Sequence, residues 1–309
     1  MPKACGSSRL ESRMRKGSDM PKASSLNALS VPRIASWRRA RRALRGSGWW
    51  YFCLLPFVGV VGDAPGDWAD VLRLAGGVVV AGLCLAYAYG FNGVTDRGMD
   101  RDQAKNSLAG LVEVPPEAAV LVAACALVAL GIAAALTPMA FAGTGMSLVA
   151  ATLYSAQPRL KAVPVVGTLV NGLIFVPLPF LATVGPPSAS MLFLAYCFYV
   201  FVTQNQILHE ISDSEEDTTG GVRTTGVVVG PIGVRLIAVI LGPLASVLLW
   251  RLHASASVPL IAAALGLCGG AVMVALGDAE RAGRLRVAHR WYSVAVGAVL
   301  FALVAGGSA

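Results

Sequence analysis

The sequence is poor in charge: 14% of its 309 residues are Asp, Glu, Lys or Arg, and only 3 are histidine. A soluble domain carries about 25% charged residues. So little charge, beside 56% hydrophobic residues and a mean hydropathy of +0.66, excludes a soluble enzyme and a disordered chain. Cysteine is scarce as well, and its 6 copies lie far apart with no Cys-x-x-Cys or Cys/His pairing. Neither a disulfide framework nor a zinc site follows. All but Cys5 sit in apolar runs, where a thiol is a small packing group. What is abundant is apolar sequence in long unbroken runs. The expected fold class is therefore all-α, a polytopic membrane bundle.

The basic excess is local. Of the 25 Lys and Arg residues behind the net charge of +8, 12 precede Ser47. A nucleic-acid partner is not implied, because one tail carries most of the excess. Residues 1–46 are expected to form a disordered basic tail, and 47–309 a single transmembrane domain. Trp37 and the arginines Arg38, Arg39, Arg41 and Arg42 read as a juxtamembrane segment drawn to anionic lipid, at about 1 kcal/mol per basic residue. No apolar stretch of a signal peptide follows the basic start. Met-Pro-Lys-Ala occurs at both Met1 and Met20, which leaves two candidate start codons.

A helix needs about 20 mostly apolar residues to cross a bilayer. Candidate spans are 48–63, 70–91, 117–136, 139–156, 165–184, 188–208, 233–251, 257–277 and 291–307. Pro, Gly or charge separates them, as at Pro115-Pro116, Pro138, Pro164 and Pro231. With the amino terminus cytoplasmic, the connections after every second span should be basic. They hold Arg97, Arg101 and Lys105, then Arg159 and Lys161, then Arg223, then Arg281, Arg284, Arg286 and Arg290. The connection 63–70 on the other side is acidic. Nine spans with a cytoplasmic amino terminus satisfy the rule.

Acidic residues gather in two places. Asn92, Asp96 and Asp100, with Asp102 behind, stand at the end of the second span. His209, Glu210, Asp213, Glu215, Glu216 and Asp217 stand at the end of the sixth. Residues four apart share a helix face, so Asn92, Asp96 and Asp100 should form one stripe, and His209, Asp213 and Asp217 another. Either cluster alone reads equally well as a solvated loop. Two clusters with matched Asp-x-x-x-Asp spacing on one side of the membrane call for a shared cation. Oxygen donors with little His or Cys favour Mg²⁺, which substrate phosphates usually complete. Arg159 and Lys161 would reach the same side and suit diphosphate oxygens, although positive-inside bias alone also explains them. Asn171, Gln204, Asn205 and Gln206 either line a cavity or hydrogen-bond between helices.

These residues resemble the UbiA-type intramembrane prenyltransferases. The family's first motif, Asn-Asp-x-x-Asp-x-x-x-Asp, falls on Asn92, Asp96 and Asp100. Its second, Asp-x-x-x-Asp followed by Gly and Thr, falls on Asp213 and Asp217 with Gly221 and Thr224. The stretch from Tyr154 to Lys161 looks like the segment between the motifs, and the resemblance covers about residues 48–307. It departs at Gly93, where the family usually has an acid, and at His209-Glu210, where Lys-Asp is common.

The resemblance implies Mg²⁺-dependent transfer of a prenyl group from an isoprenoid diphosphate to a small lipophilic or aromatic acceptor in the membrane. It makes Asn92, Asp96, Asp100, Asp213 and Asp217 the metal ligands, the four aspartates being the catalytic set. Arg101, Lys105, Arg159, Lys161, His209 and Arg223 become diphosphate contacts, with Asn92 beside them. A UbiA-like terpene cyclase would use the same metal site. A secondary transporter is the alternative of another class, but it would place its acids near the bilayer midplane.

Overall fold

The computed structural model describes residues 33–60, 66–100, 103–219, 221–252, 257–278 and 280–306, and all regular structure among them is helical. In chain order the α-helices are α1 (Arg33–Ala43), α2 (Trp68–Asp96), α3 (Pro116–Leu136), α4 (Pro138–Ser155), α5 (Val166–Phe175), α6 (Ala189–Thr219), α7 (Thr225–Leu252), α8 (Ser257–Ala275) and α9 (Ala282–Gly306). Short 3₁₀ turns cover Gly46–Gly48, Leu160–Ala162 and Leu178–Phe180, and a longer 3₁₀ stretch covers Trp50–Val60.

The helix starts follow local chemistry. Asp67 Oδ1 accepts from the Asp70 amide at 2.9 Å and opens α2. Thr137 Oγ1 accepts from the Ala140 amide at 2.9 Å and opens α4. Pro116 and Pro138 stand in first turns, where an absent N–H leaves nothing unpaired. Among the described residues five helices are long and apolar enough to cross a membrane: α2, α3, α6, α8 (as Val258–Ala275) and α9.

Two expected spans take another form. Trp50–Val60 has 11 residues in 3₁₀ geometry, roughly 22 Å of rise. That is short of a hydrocarbon core of about 30 Å. Pro56 inside it removes a helical donor, and the stretch leans inward with Phe52 against Phe175 at 4.9 Å between ring centroids. The expected span 165–184 divides at Pro177 into α5 and the 3₁₀ turn Leu178–Phe180. The expected break at Pro231 falls where the backbone leaves helical geometry, so α7 is two helical pieces that meet at a kink. It bends at Gly230, whose φ of 73° suits only glycine.

Residues 33–43, counted with the tail by composition, form α1. Its Ala40 and Ala43 are buried with Leu108 and Ala118. Small residues three apart on one face let the arginine-rich helix lie against the bundle.

Two of the apolar clusters organise most of the bundle. One apolar cluster joins α2, α3, α4 and α5, with Val80, Leu85, Ala129, Ala151 and Phe175 inside it. Another joins α6, α8 and α9 through Phe193, Phe201, Leu267 and Leu300. Helix α6 serves both, presenting Val202 to the first and Phe201 to the second. Lipid offers no hydrophobic drive between helices, so close approach and polar ties matter more. A methyl at Gly172 would run into the Tyr199 ring. Gln204, wholly buried, donates to the Leu267 carbonyl at 3.0 Å and meets His289 Nε2 at 3.1 Å. The five described cysteines are free thiols.

Candidate active site

Helix α2 stops at Asp96. Its carbonyl accepts from the amides of Met99 (2.8 Å) and Asp100 (2.9 Å), closing a turn around Gly98. Asp100 therefore lies in this turn rather than on the helix, and the expected first stripe bends at its last member. A residue of the Lys105-Asn106-Ser107-Leu108 stretch after the first motif holds the turn. Asn106, 1% exposed, donates from Nδ2 to Asp100 Oδ2 (2.8 Å) and to the Gly93 carbonyl (2.9 Å). Its Oδ1 accepts from the Leu108 amide at 3.0 Å. A Cβ at position 93 would stand 3.3 Å from that oxygen and 3.7 Å from the Ala43 carbonyl. The space an acidic side chain would need beside residue 93 is taken by Asn106, which gives Gly93 a local cause.

Asp96 is buried, at 6% exposure, and forms ion pairs with Arg159 and Lys161. Both cations flank Leu160 in the turn after α4. Lys161 also donates to Asn92 Oδ1 at 3.1 Å, and that oxygen accepts from Ser155 Oγ at 3.0 Å. As a metal ligand, Asn92 would have to exchange both. Burial, reinforced by the Arg159 charge, pushes the Lys161 ammonium down to about 7, against the pull of Asp100 and Asp217.

Helix α6 is continuous through the second cluster. Its 31 residues span about 46 Å, so its last turns overshoot a hydrocarbon core of about 30 Å. His209, Asp213 and Asp217 share a face there. Asp213 Oδ2 meets His209 Nδ1 at 3.2 Å and accepts from Lys105 Nζ at 2.9 Å. Lys105 also donates to Glu216 Oε2 at 3.1 Å. Burial lowers the Lys105 pKa, but its bonds to Asp213 and Glu216 outweigh burial and hold it above its usual value. Gly221, at φ 69°, reverses the chain after α6, and Thr224 Oγ1 then donates to Asp217 Oδ2 at 3.1 Å.

Buried Glu210, one residue from His209, has a different task. Its carboxylate accepts from Thr168 Oγ1 (2.7 Å), the Gly226 amide (3.2 Å) and Gln206 Nε2 (3.3 Å), tying α5 and α7 to α6.

The clusters face one cavity of about 150 Å³. Asn92, Asp96, Asp100 and Lys161 line one side, and His209, Asp213, Asp217 and Lys105 the other. Arg159 reaches it through Asp96. Arg223 is exposed and lines neither this cavity nor the next. Alternate residues of the extended stretch 222–224 face opposite ways, so Val222 and Thr224 point in while Arg223 points out. Arg101 lies outside the described residues.

A second cavity, of about 120 Å³, shares Arg45, Asn92, Tyr154 and His209 with the first. Aromatic rings (Tyr51, Phe52, Tyr89, Phe175) and polar groups (Asn171, Gln206, Arg286, Arg290) form its other walls. Arg286 and Arg290 were legible only as positive-inside charges; their four-residue spacing on one helix was the available signal.

The donor set fits a hard cation. Its available donors are carboxylate and carboxamide oxygens, with one imidazole at the edge. Among the described residues no three His, Cys, Asp or Glu side chains form a ready-made cage. Oxygen donors of this kind suit Mg²⁺, which keeps several waters and is bound through one or two carboxylates plus substrate phosphates.

The UbiA prenyltransferase family matches residues 50–305. The chain belongs to that family. Its fold is similar to a UbiA homologue from Archaeoglobus fulgidus solved with GPP and Mg²⁺, at 21% identity and a TM-score of 0.63, covering 84% of this chain and 99% of the other. A digeranylgeranylglyceryl phosphate synthase matches with a TM-score of 0.67 at 17% identity, over 88% of this chain and 99% of that one. A UbiA homologue from Aeropyrum pernix K1 matches with a TM-score of 0.61 at 18% identity, over 81% and 96%. No curated protein sequence matches the chain.

Proposed function

We propose that the protein transfers a prenyl group from an isoprenoid diphosphate to a small acceptor in the membrane, with Mg²⁺ as cofactor. The observation that carries this is the meeting of Asp96 and Asp100 with Asp213 and Asp217 across one cavity, beside Lys105 and Lys161. Family membership and the fold shared with a homologue solved with GPP and Mg²⁺ support it.

Asp96, Asp100, Asp213 and Asp217 would hold the metal, which would neutralise diphosphate charge when bound. Lys161, Lys105 and Arg159 take phosphate oxygens as charge-assisted donors. The allylic C–O bond breaks, its electron pair leaves on the diphosphate, and a nucleophilic atom of the acceptor bonds that carbon and releases a proton. Apolar helix walls keep water from the cation meanwhile. The site opens on the cytoplasmic side, because the loops after α2, α4 and α6 and the start of α9 carry the basic residues.

Transfer is favoured over cyclisation by the second, polar-walled cavity, which suits an acceptor. Transport is disfavoured because the acids stand at helix ends rather than mid-span. Incubating membranes with labelled isoprenyl diphosphates of several lengths, with and without Mg²⁺ and a panel of acceptors, tests the reading. Mg²⁺-dependent release of diphosphate with labelled product is the expected result. Full turnover by Asp96→Ala contradicts it.

A further inference from the structure

Helix α1 turns a cationic face away from the rest of the protein. Trp37, Arg38, Arg41 and Arg42 are exposed, and spacings of three and four residues put them on one side of the helix. None of these three arginines forms an ion pair among the described residues. Arg38 lies one helical turn from both Arg41 and Arg42, and like charges at that spacing oppose a helix. The helix has 11 residues, and isolated helices shorter than about 12–15 residues are marginal in water. Its hold on the protein is slight. Ala40 and Ala43 bring one methyl each to Leu108 and Ala118, and Ser107 Oγ donates to the Arg39 carbonyl at 3.0 Å. A short, self-repelling helix on so small a footing calls for an anionic surface on its other side.

The neighbourhood favours lipid headgroups over a soluble polyanion. Trp37, 46% exposed, shares the arginine face, and tryptophan concentrates at membrane–water interfaces. Exposed Trp50 follows a few residues beyond α1 and opens the apolar stretch Trp50–Val60, so α1 stands where the chain enters the bundle. Arg45, between the two, lines the carboxylate cavity and puts α1 at that end of the protein. The footing of α1 gives such a contact a consequence. Ser107 and Leu108 directly follow Asn106, whose side chain holds Asp100 at 2.8 Å and the Gly93 carbonyl at 2.9 Å. The Ala43 carbonyl backs Gly93 from the α1 side, 3.7 Å from where a Cβ would stand. Whatever seats α1 therefore also steadies the turn that carries Asp100.

We propose that α1 docks on anionic lipid headgroups through Arg38, Arg41 and Arg42, with the Trp37 ring in the interface, and that this docking clamps residues 105–111 against the end of α2. Guanidinium forks match headgroup phosphates and carboxylates through paired N–H donors. Each basic residue near an anionic surface strengthens attachment by about fivefold, so three together outweigh the repulsion among them. Neutral lipid leaves the helix on its alanine footing alone. Lipid docking of α1 is independent of the prenyl-transfer reading, and its test needs no turnover.

The test places the full chain in nanodiscs of phosphatidylcholine alone or of phosphatidylcholine with phosphatidylserine, and follows amide hydrogen exchange by mass spectrometry with α6 as internal reference. Amides of α1 and of residues 105–111 should exchange at least about tenfold more slowly in the anionic discs. Raised salt should narrow that difference. The triple variant Arg38→Gln, Arg41→Gln, Arg42→Gln should erase it in both segments. The corresponding triple lysine variant should keep it, because the attraction is to charge. Equal exchange of α1 in the two kinds of disc, a difference that survives the glutamine variant or is indifferent to salt, or protection of α1 without residues 105–111 overturns the proposal. Protection by a short single-stranded RNA in neutral discs, with none from phosphatidylserine, assigns the face to nucleic acid and overturns it as well.

Discussion

The two carboxylate clusters have the same spacing in sequence and opposite settings in the fold. The first stands where α2 ends. Asp96 is buried there, with Arg159 and Lys161 of the same half against it and Asp100 held in a turn by Asn106. The second stands on a helix that continues past it. Asp213 and Asp217 keep partial exposure, and Lys105 reaches across from the first half to meet Asp213. The first cluster is thus closed within its own half, whereas the second is open and joined to the first by one lysine. Identical motif spacing does not mean identical energetics: removing a partner from a buried pair costs about 3–5 kcal/mol, and an exposed pair contributes about 0–1 kcal/mol.

The difference can be broken at each cluster in turn. Asp96→Ala should have the largest effect, abolishing transfer by on the order of a hundredfold or more. It should also destabilise the protein by about 3–5 kcal/mol, because Arg159 and Lys161 are left buried without their carboxylate. A thermal melt in detergent checks the second part independently of activity. Asp217→Asn should lose activity to a similar extent, yet melt within about 1 kcal/mol of wild type, since Thr224 can still donate to the amide oxygen. Equal destabilisation by the two substitutions would erase the contrast.

Asn106→Ala sharpens the comparison from the loop side. It unpairs the Gly93 carbonyl, the Leu108 amide and one Asp100 oxygen, and a buried group left unsatisfied costs about 1–3 kcal/mol. A lowered melt with weaker Mg²⁺ dependence of transfer is expected, because Asp100 loses its orientation. The smallest effect belongs to Glu216→Gln. Its pair with Lys105 is half-exposed, so stability should change by less than about 1 kcal/mol and turnover by less than about twofold.

Much of this was legible before the fold was known. The apolar runs located the long helices, although α6 runs on to Thr219 and α9 begins at Ala282, well outside the runs read for them, and the i, i+4 acids picked out residues that line one cavity. Short-range chemistry intervened elsewhere. The apolar run around Pro56 forms a 3₁₀ stretch, whereas the break read at Pro231 coincides with the kink at Gly230. Residues 282–290 are helical although their arginines break the hydropathy signal, and two of those arginines wall the second cavity. Arg45 was illegible as a site residue for another reason, and so were the structural tasks of Asn106 and Glu210. Their roles depend on neighbours distant in sequence, and no local spacing encodes those contacts.

The central claim is that both clusters grip one diphosphate together, and a double-mutant cycle on Asp96 and Asp217 tests it most directly. Binding of inorganic pyrophosphate in the presence of Mg²⁺ would be titrated calorimetrically for wild type, Asp96→Asn, Asp217→Asn and the pair. Each single substitution should weaken binding strongly, with the double variant little worse than either, because groups that act on one ligand as a unit are non-additive. Losses that simply add, or a single variant that binds as wild type does, would contradict a jointly held ligand.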